Sequence, residues 1–181
     1  MNKLGNTALL VVDVQTGLIK EHPYNERQVI GNIKKLIDIA RENKIEVIYV
    51  RHNDGVGSEL EYGSDSWQIY DEIAPEMNER IFEKQYNSAF RKTGLKEYLE
   101  SKEINNIVLV GLQTEYCIDT TCKCAFEYGF NVIIPEATNT TFSNDYLSGK
   151  ELYEFYNYTI WKNRFAEVLP VEDVICIFRQ E

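Results

Sequence analysis

Short unbroken apolar runs alternate along this chain with stretches in which apolar residues recur every three or four positions. The runs are Ala8-Leu9-Leu10-Val11-Val12, Ile45-Glu46-Val47-Ile48-Tyr49-Val50, a weaker Ile81-Phe82-Glu83-Lys84, Ile107-Val108-Leu109-Val110, Asn131-Val132-Ile133-Ile134 and a last one near Phe165–Val168. Continuous rather than alternating apolar character reads as strands buried on both faces. After the first run, Val29, Ile33, Leu36, Ile37 and Ala40 repeat at helical spacing, and Asn43-Lys44 marks the helix end. Further helices are predicted from Thr93, from about Tyr116 to Tyr128, near Tyr146–Phe155 and from Val171 onward. A loop rich in Gly, Ser and acids spans Asn53 to Ser66, and a short helix is expected around Trp67 to Ile73. There is no internal repeat, linker or low-complexity tract.

Strands alternating with helices predict an α/β protein, a parallel sheet covered on both faces. At 181 residues the chain is expected to form one domain over 1–181, long enough to bury about 70% of its unfolded surface. Ligands of such sheets bind beyond the carboxyl ends of the strands. Asp13, Lys84 and Cys117 all lie at or just past predicted strand ends, so the fold alone sets them on one edge.

Charge narrows the partners. Nineteen basic against 29 acidic residues leave a net charge of −10, spread along the chain. Such a field repels nucleic acid and anionic membranes, so neither is expected as a partner. No apolar run approaches the ~20 residues that cross a bilayer, and the start of the chain lacks the apolar core of a signal peptide. A cytoplasmic location, where thiols stay reduced, is therefore expected.

Of the four cysteines, Cys122 and Cys124 point about 200° apart if helical, and Cys117 and Cys124 are separated by two turns, about 10 Å. None of these pairs forms a disulfide within a helix. Cys122, Cys124 and Cys176 are read as packing residues or inert thiols. Cys117 differs, because Val110-Gly111-Leu112-Gln113-Thr114-Glu115-Tyr116 carries it from a strand to the start of a helix. The positive end of a helix dipole favours thiolate, so a pKa below the free value of ~8.5 is expected. Singly, an Asp at a strand end is usually a cap, a Lys a surface charge and a Cys a core residue. Together, an anionic base, a cation and a thiol make a nucleophilic site.

Three blocks then resemble the isochorismatase-like cysteine hydrolases. They are Val11-Val12-Asp13-Val14-Gln15; Lys84-Gln85-Tyr86-Asn87-Ser88-Ala89-Phe90 with Thr93 and Leu95; and Gly111 through Cys117 with Thr121 and Ala125. Order and spacing fit from about residue 6 to residue 174. The resemblance implies a doubly wound three-layer domain with a mostly parallel six-stranded sheet in the order 3-2-1-4-5-6. It implies a catalytic triad of Asp13, Lys84 and Cys117 in which the thiol attacks a carbonyl carbon and expels an amine or ammonia. It also implies a cis peptide at Leu112–Gln113 and an oxyanion hole from the backbone N–H groups of Gln113 and Cys117. A small amide, lactam or ureido compound is the implied substrate, without metal or organic cofactor, in a homodimer or homotetramer.

There are departures. Metal-binding nicotinamidases of the family use an Asp-x-His pair and a further His, whereas this chain reads Arg51-His52-Asn53-Asp54 and has only two histidines, the other being His22. Isochorismatases proper lack the nucleophilic Cys, so Cys117 favours C–N cleavage over ether hydrolysis. Gln15, His52, Trp67, Phe90 and Tyr116 are the candidate substrate-binding residues, His52 also as a hydrogen-bonding residue behind the site. Glu115 is a weaker candidate. A catalytically silent scaffold on the same fold is the rival reading, and Asp13→Asn is expected to slow alkylation of Cys117 by removing its base.

Overall fold

A computed structural model of the chain describes residues 6–179. Seven strands form one sheet, β1 (Thr7–Val12), β2 (Glu46–His52), β3 (Arg80–Lys84), β4 (Asn106–Leu112), β5 (Asn131–Pro135), β6 (Asn139–Thr140) and β7 (Glu167–Leu169). Their order is β3-β2-β1-β4-β5-β7, with β6 paired to the end of β4, and every ladder is parallel. The expected order therefore holds, with the predicted sixth strand now β7. The two-residue β6, too short to stand out in the sequence, is the addition.

Alternate residues of β1 face opposite ways and each set has its own core. Leu9 and Val11 pack with Val29, Ile33, Leu36 and Phe178 on one face. Ala8, Leu10 and Val12 pack with Leu95, Leu99, Cys122 and Trp161 on the other. The first face is covered by α2 (Glu26–Glu42) and α6 (Val171–Arg179), the second by α3 (Leu95–Ser101) and α4 (Asp119–Glu127). A sheet buried on both faces has no place for polar alternation, which is why its strands read as continuous apolar runs.

Two predicted helices are corrected and one is added. No α-helix covers Trp67–Ile73, only one tight turn at Asp71–Ile73. The backbone there is already committed, since Thr16 N–H donates to the Gln68 carbonyl, Tyr70 N–H to that of Val14, and Gln15 bridges Ile69. The partner segment includes a short helix α1 (Thr16–Lys20) that the apolar pattern did not reveal. Near Tyr146 the helix starts later, as α5 (Gly149–Phe155), because Ser148 and Glu151 close a capping box around its first turn. The aromatic residues in and around it divide between core and surface. Tyr153 and Trp161 are buried, while Tyr146, Phe155 and Tyr158 face outward. Among the described residues no helix is long and apolar enough to cross a membrane.

Gly111 is the tightest point in the sheet. It pairs with Val12 at the last register position of β1 and β4, with φ +128°, and a β-carbon there would sit 1.9 Å from the Val12 carbonyl oxygen. No side-chain rotation relieves a clash with backbone. Gly111→Ala should therefore cost at least about 3 kcal/mol, the upper range for overpacking. Chemical denaturation checks it, and a loss under about 1 kcal/mol would show that the strands can part.

Candidate active site

The carboxyl ends of β1, β2, β3 and β4 converge on a buried polar cluster. Asp13 follows β1 directly and has φ +53°, a left-handed conformation that Asp adopts more readily than most residues. Its N–H still bonds to the Val50 carbonyl at 2.9 Å. Lys84 closes β3 in register with His52 at the end of β2. Cys117 sits in a wide helical turn, Thr114–Ile118, that runs on into α4. The helical segment thus begins before the predicted Tyr116, and the thiol lies further into it than expected. The Leu112–Gln113 peptide that precedes this turn is cis.

One ammonium organises these groups. Lys84 Nζ lies 2.6 Å from Asp13 Oδ2, 2.9 Å from His52 Nδ1 and 3.2 Å from Cys117 Sγ. An ammonium has three N–H donors, and here three acceptors surround it. The Lys84 side chain is fully inaccessible and that of Asp13 is 2% exposed. Asp13 Oδ1, also buried, has no hydrogen-bond partner. Asp13, His52 and Cys117 offer donor atoms within 4.8 Å of one another, a spacing that suits a metal ion. The centre of that set is taken by the Lys84 ammonium, itself a cation, so the cluster is satisfied by a side chain.

Electrostatics here contradict the expected thiolate. Burial, then the neighbouring Asp13 charge, push the Cys117 thiol up to about 12, and Lys84 only partly offsets them. For Lys84, burial opposes the charge, but the charges of Asp13 and Cys117 and hydrogen bonds to both outweigh it and hold its pKa above the ordinary lysine value. One cation cannot compensate two anions at once. At rest the raised pKa values leave Cys117 a neutral thiol beside a charged Lys84. The helix-dipole argument fails because it ignored burial and the second acid.

The candidate substrate residues scatter. Gln15 is wholly buried, and its amide is spent on backbone. Oε1 accepts from His52 N–H, and Nε2 donates to the carbonyls of His52 and Trp67, each at 2.9 Å. No group is left over for a ligand. Both ring nitrogens of His52 are engaged, Nδ1 with Lys84 and Nε2 with Asp54 Oδ1 at 2.6 Å, which favours the reading of it as a hydrogen-bonding residue behind the site. Trp67 is stacked under the Arg51 guanidinium at 3.2 Å and against Tyr62, so its ring is held rather than free to close. Phe90 packs on Phe130 and Tyr128 within the second core. Tyr116 is 51% exposed. Sequence reasoning passed over Asn87, quoted only as part of a matching block. Its Oδ1 is 4.0 Å from Cys117 Sγ and its side chain is exposed, at the mouth of the cluster.

A family model described as an isochorismatase domain matches residues 7–173. The uncharacterized isochorismatase family protein YrdC of Bacillus subtilis is 33% identical over 136 residues, 72% of each chain. Ureidoacrylate amidohydrolase RutB of Agrobacterium fabrum is 27% identical, with 94% of this chain and 95% of that protein aligned. A crystal structure of an isochorismatase family protein superimposes with a TM-score of 0.85 at 28% identity, over 92% of this chain and 99% of that one.

Two titrations test the resting state. Iodoacetamide alkylation of Cys117, followed by peptide mass spectrometry, should still be rising steeply at pH 10, whereas in the urea-unfolded chain it is half-maximal near ~8.5 and close to its plateau by then. A native plateau below pH 8 would overturn the neutral thiol. Asp13→Asn removes the opposing charge and leaves Lys84 to the sulfur, so the thiol pKa should fall by roughly one to three pH units and alkylation should quicken. That reverses the direction expected from sequence, and slower alkylation would restore the earlier reading.

Proposed function

The chain belongs to the isochorismatase family, and from that premise we propose that it hydrolyses the C–N bond of a small amide, lactam or ureido compound through a thioester on Cys117. The observation that carries this reading is the buried Lys84 ammonium in contact with both Asp13 and Cys117. A general base must lie within reach of the proton it takes. We take Asp13 as that base, since it is a buried carboxylate with an oxygen within 4.8 Å of the thiol sulfur, and its Oδ1 has no hydrogen-bond partner.

In the proposed cycle Asp13 accepts the thiol proton as sulfur adds to the carbonyl carbon. The negative charge passes to the carbonyl oxygen, which the backbone N–H groups of Gln113 and Cys117 would face as the oxyanion hole. The C–N bond breaks, and the proton moves from Asp13 to the leaving nitrogen. Water then adds to the thioester, giving its proton to Asp13. Release of the acid breaks the C–S bond, and the proton returns to sulfur. Lys84 stays charged throughout and keeps whichever of Asp13 and Cys117 is anionic in that form. The match to an amidohydrolase over nearly the whole of both chains supports C–N cleavage. So does the presence of a thiol beside a carboxylate, which ether hydrolysis does not need.

A panel of small amides, lactams and ureido compounds identifies the substrate. Against it Cys117→Ala should abolish turnover with circular dichroism unchanged, and Asp13→Asn and Lys84→Met should each lose about 100- to 10,000-fold in kcat. An acyl adduct should be trapped on the Cys117 peptide at low temperature. Turnover retained by Cys117→Ala would exclude the covalent route, and no turnover of the panel by the native chain would favour the silent-scaffold or ether-hydrolase alternatives.

A further inference from the structure

We propose that His52 is a positioning residue for the Lys84 ammonium, held in turn by Gln15 and Asp54. The inference rests on the proposed roles of Lys84 and Cys117 and goes beyond them, because nothing in those roles requires a histidine.

The argument starts from the number of donors on an ammonium. Lys84 Nζ carries three N–H groups in a pocket where its side chain is fully inaccessible, so water cannot replace a lost acceptor. Asp13 and Cys117 account for two, and His52 Nδ1, at 2.9 Å, for the third. Three acceptors in three directions fix where the nitrogen sits and where each N–H points. With the third removed, one N–H is orphaned and the head group is free to lean away from the sulfur, the most distant of its partners.

The imidazole is built to be an acceptor on that side. A charged lysine only donates, so Nδ1 must carry the lone pair and Nε2 the proton. Nε2 then donates to Asp54 Oδ1 at 2.6 Å, which selects this tautomer and fixes the ring plane. The backbone under the ring is clamped as well. The Gln15 amide bonds both the N–H and the carbonyl of His52, joining the end of β2 to the turn after β1. The order Arg51-His52-Asn53-Asp54 therefore sets an acceptor beside Lys84 and its own orienting carboxylate two residues on.

The test is the alkylation rate of each cysteine by iodoacetamide at pH 9 in the native chain, Lys84→Met, His52→Leu and His52→Asn. Asn presents an oxygen close to the place of Nδ1, whereas Leu presents none. His52→Leu should slow Cys117 about tenfold, equivalent to one pH unit in its titration. Cys122 and Cys124 should be unchanged, and His52→Asn should recover most of the lost rate. A merely structural histidine gives the opposite pattern, since loosening the fold speeds all three thiols together.

An unslowed Cys117 in His52→Leu, a general acceleration, or no recovery by Asn would overturn the proposal. If Lys84→Met also leaves Cys117 unslowed, the reading of the site falls with it; if Lys84→Met slows Cys117 and His52→Leu does not, only the positioning role is lost. A measurement on the native protein guards against variants that misfold. With only two histidines in the chain, nitrogen-15 NMR separates His52 from His22, and an Nδ1–H tautomer at His52 would overturn the proposal without any substitution.

Discussion

A buried lysine needs compensation for its charge, and the site is arranged around that need. Taking an ammonium out of water is costly unless its donors find partners and its charge a counter-ion. Lys84 finds its counter-ion in Asp13 and two further acceptors in His52 and Cys117, and these four side chains come from the ends of four strands or the turns just after them. The requirement is collective. Removing any one partner leaves a charge or a donor stranded where solvent does not reach.

The sheet meets that need through register. Parallel pairing of β2 with β3 puts His52 opposite Lys84, while Gly111 opposite Val12 lets β4 run close enough to β1 for the cysteine turn to reach Asp13. The polar groups around the turn are equally committed. Thr114 Oγ1 donates to Asn139 Oδ1, and Asn139 and Asn157 exchange amide hydrogen bonds, all three side chains being fully buried. The two-residue β6 thus has a purpose out of proportion to its length, for it brings Asn139 under the start of the cysteine turn. Buried polar contacts of this kind favour one geometry over its neighbours, because every alternative leaves a group unsatisfied.

Much of this was legible in the chain itself. Strands buried on both faces announce themselves as apolar runs, and strand ends at a parallel edge locate Asp13, Lys84 and Cys117 before any family is considered. What the pattern could not carry was context. Gln15 looked like a group free to bind an amide, but its amide serves two backbone segments that are distant in sequence. Trp67 looked available to a substrate, yet Arg51 and Tyr62 hold its ring. A low thiol pKa followed from local helix position, whereas burial and Asp13, a residue more than a hundred positions away, push it up. Periodicity reports which face a residue takes; it says nothing of which polar group will already have spoken for its hydrogen bonds.

The neutral resting thiol, at first sight an obstacle to a nucleophile, follows from how charge moves in such a pocket. Carboxylate, ammonium and thiol sum to zero. Moving the proton from sulfur to Asp13 keeps the sum at zero, as does moving negative charge from sulfur to the carbonyl oxygen and returning the proton to the leaving nitrogen. A low-dielectric site penalises net charge more than it penalises redistribution over a few ångströms beside a fixed counter-charge. A permanent thiolate would instead leave two anions on one cation from the outset, with the excess charge buried. In the proposed cycle activation then belongs to the moment of attack and not to the resting state. Under the proposed cycle the fixed element is Lys84, and a substrate that brings no net charge of its own to the carbonyl it presents would fit that balance best.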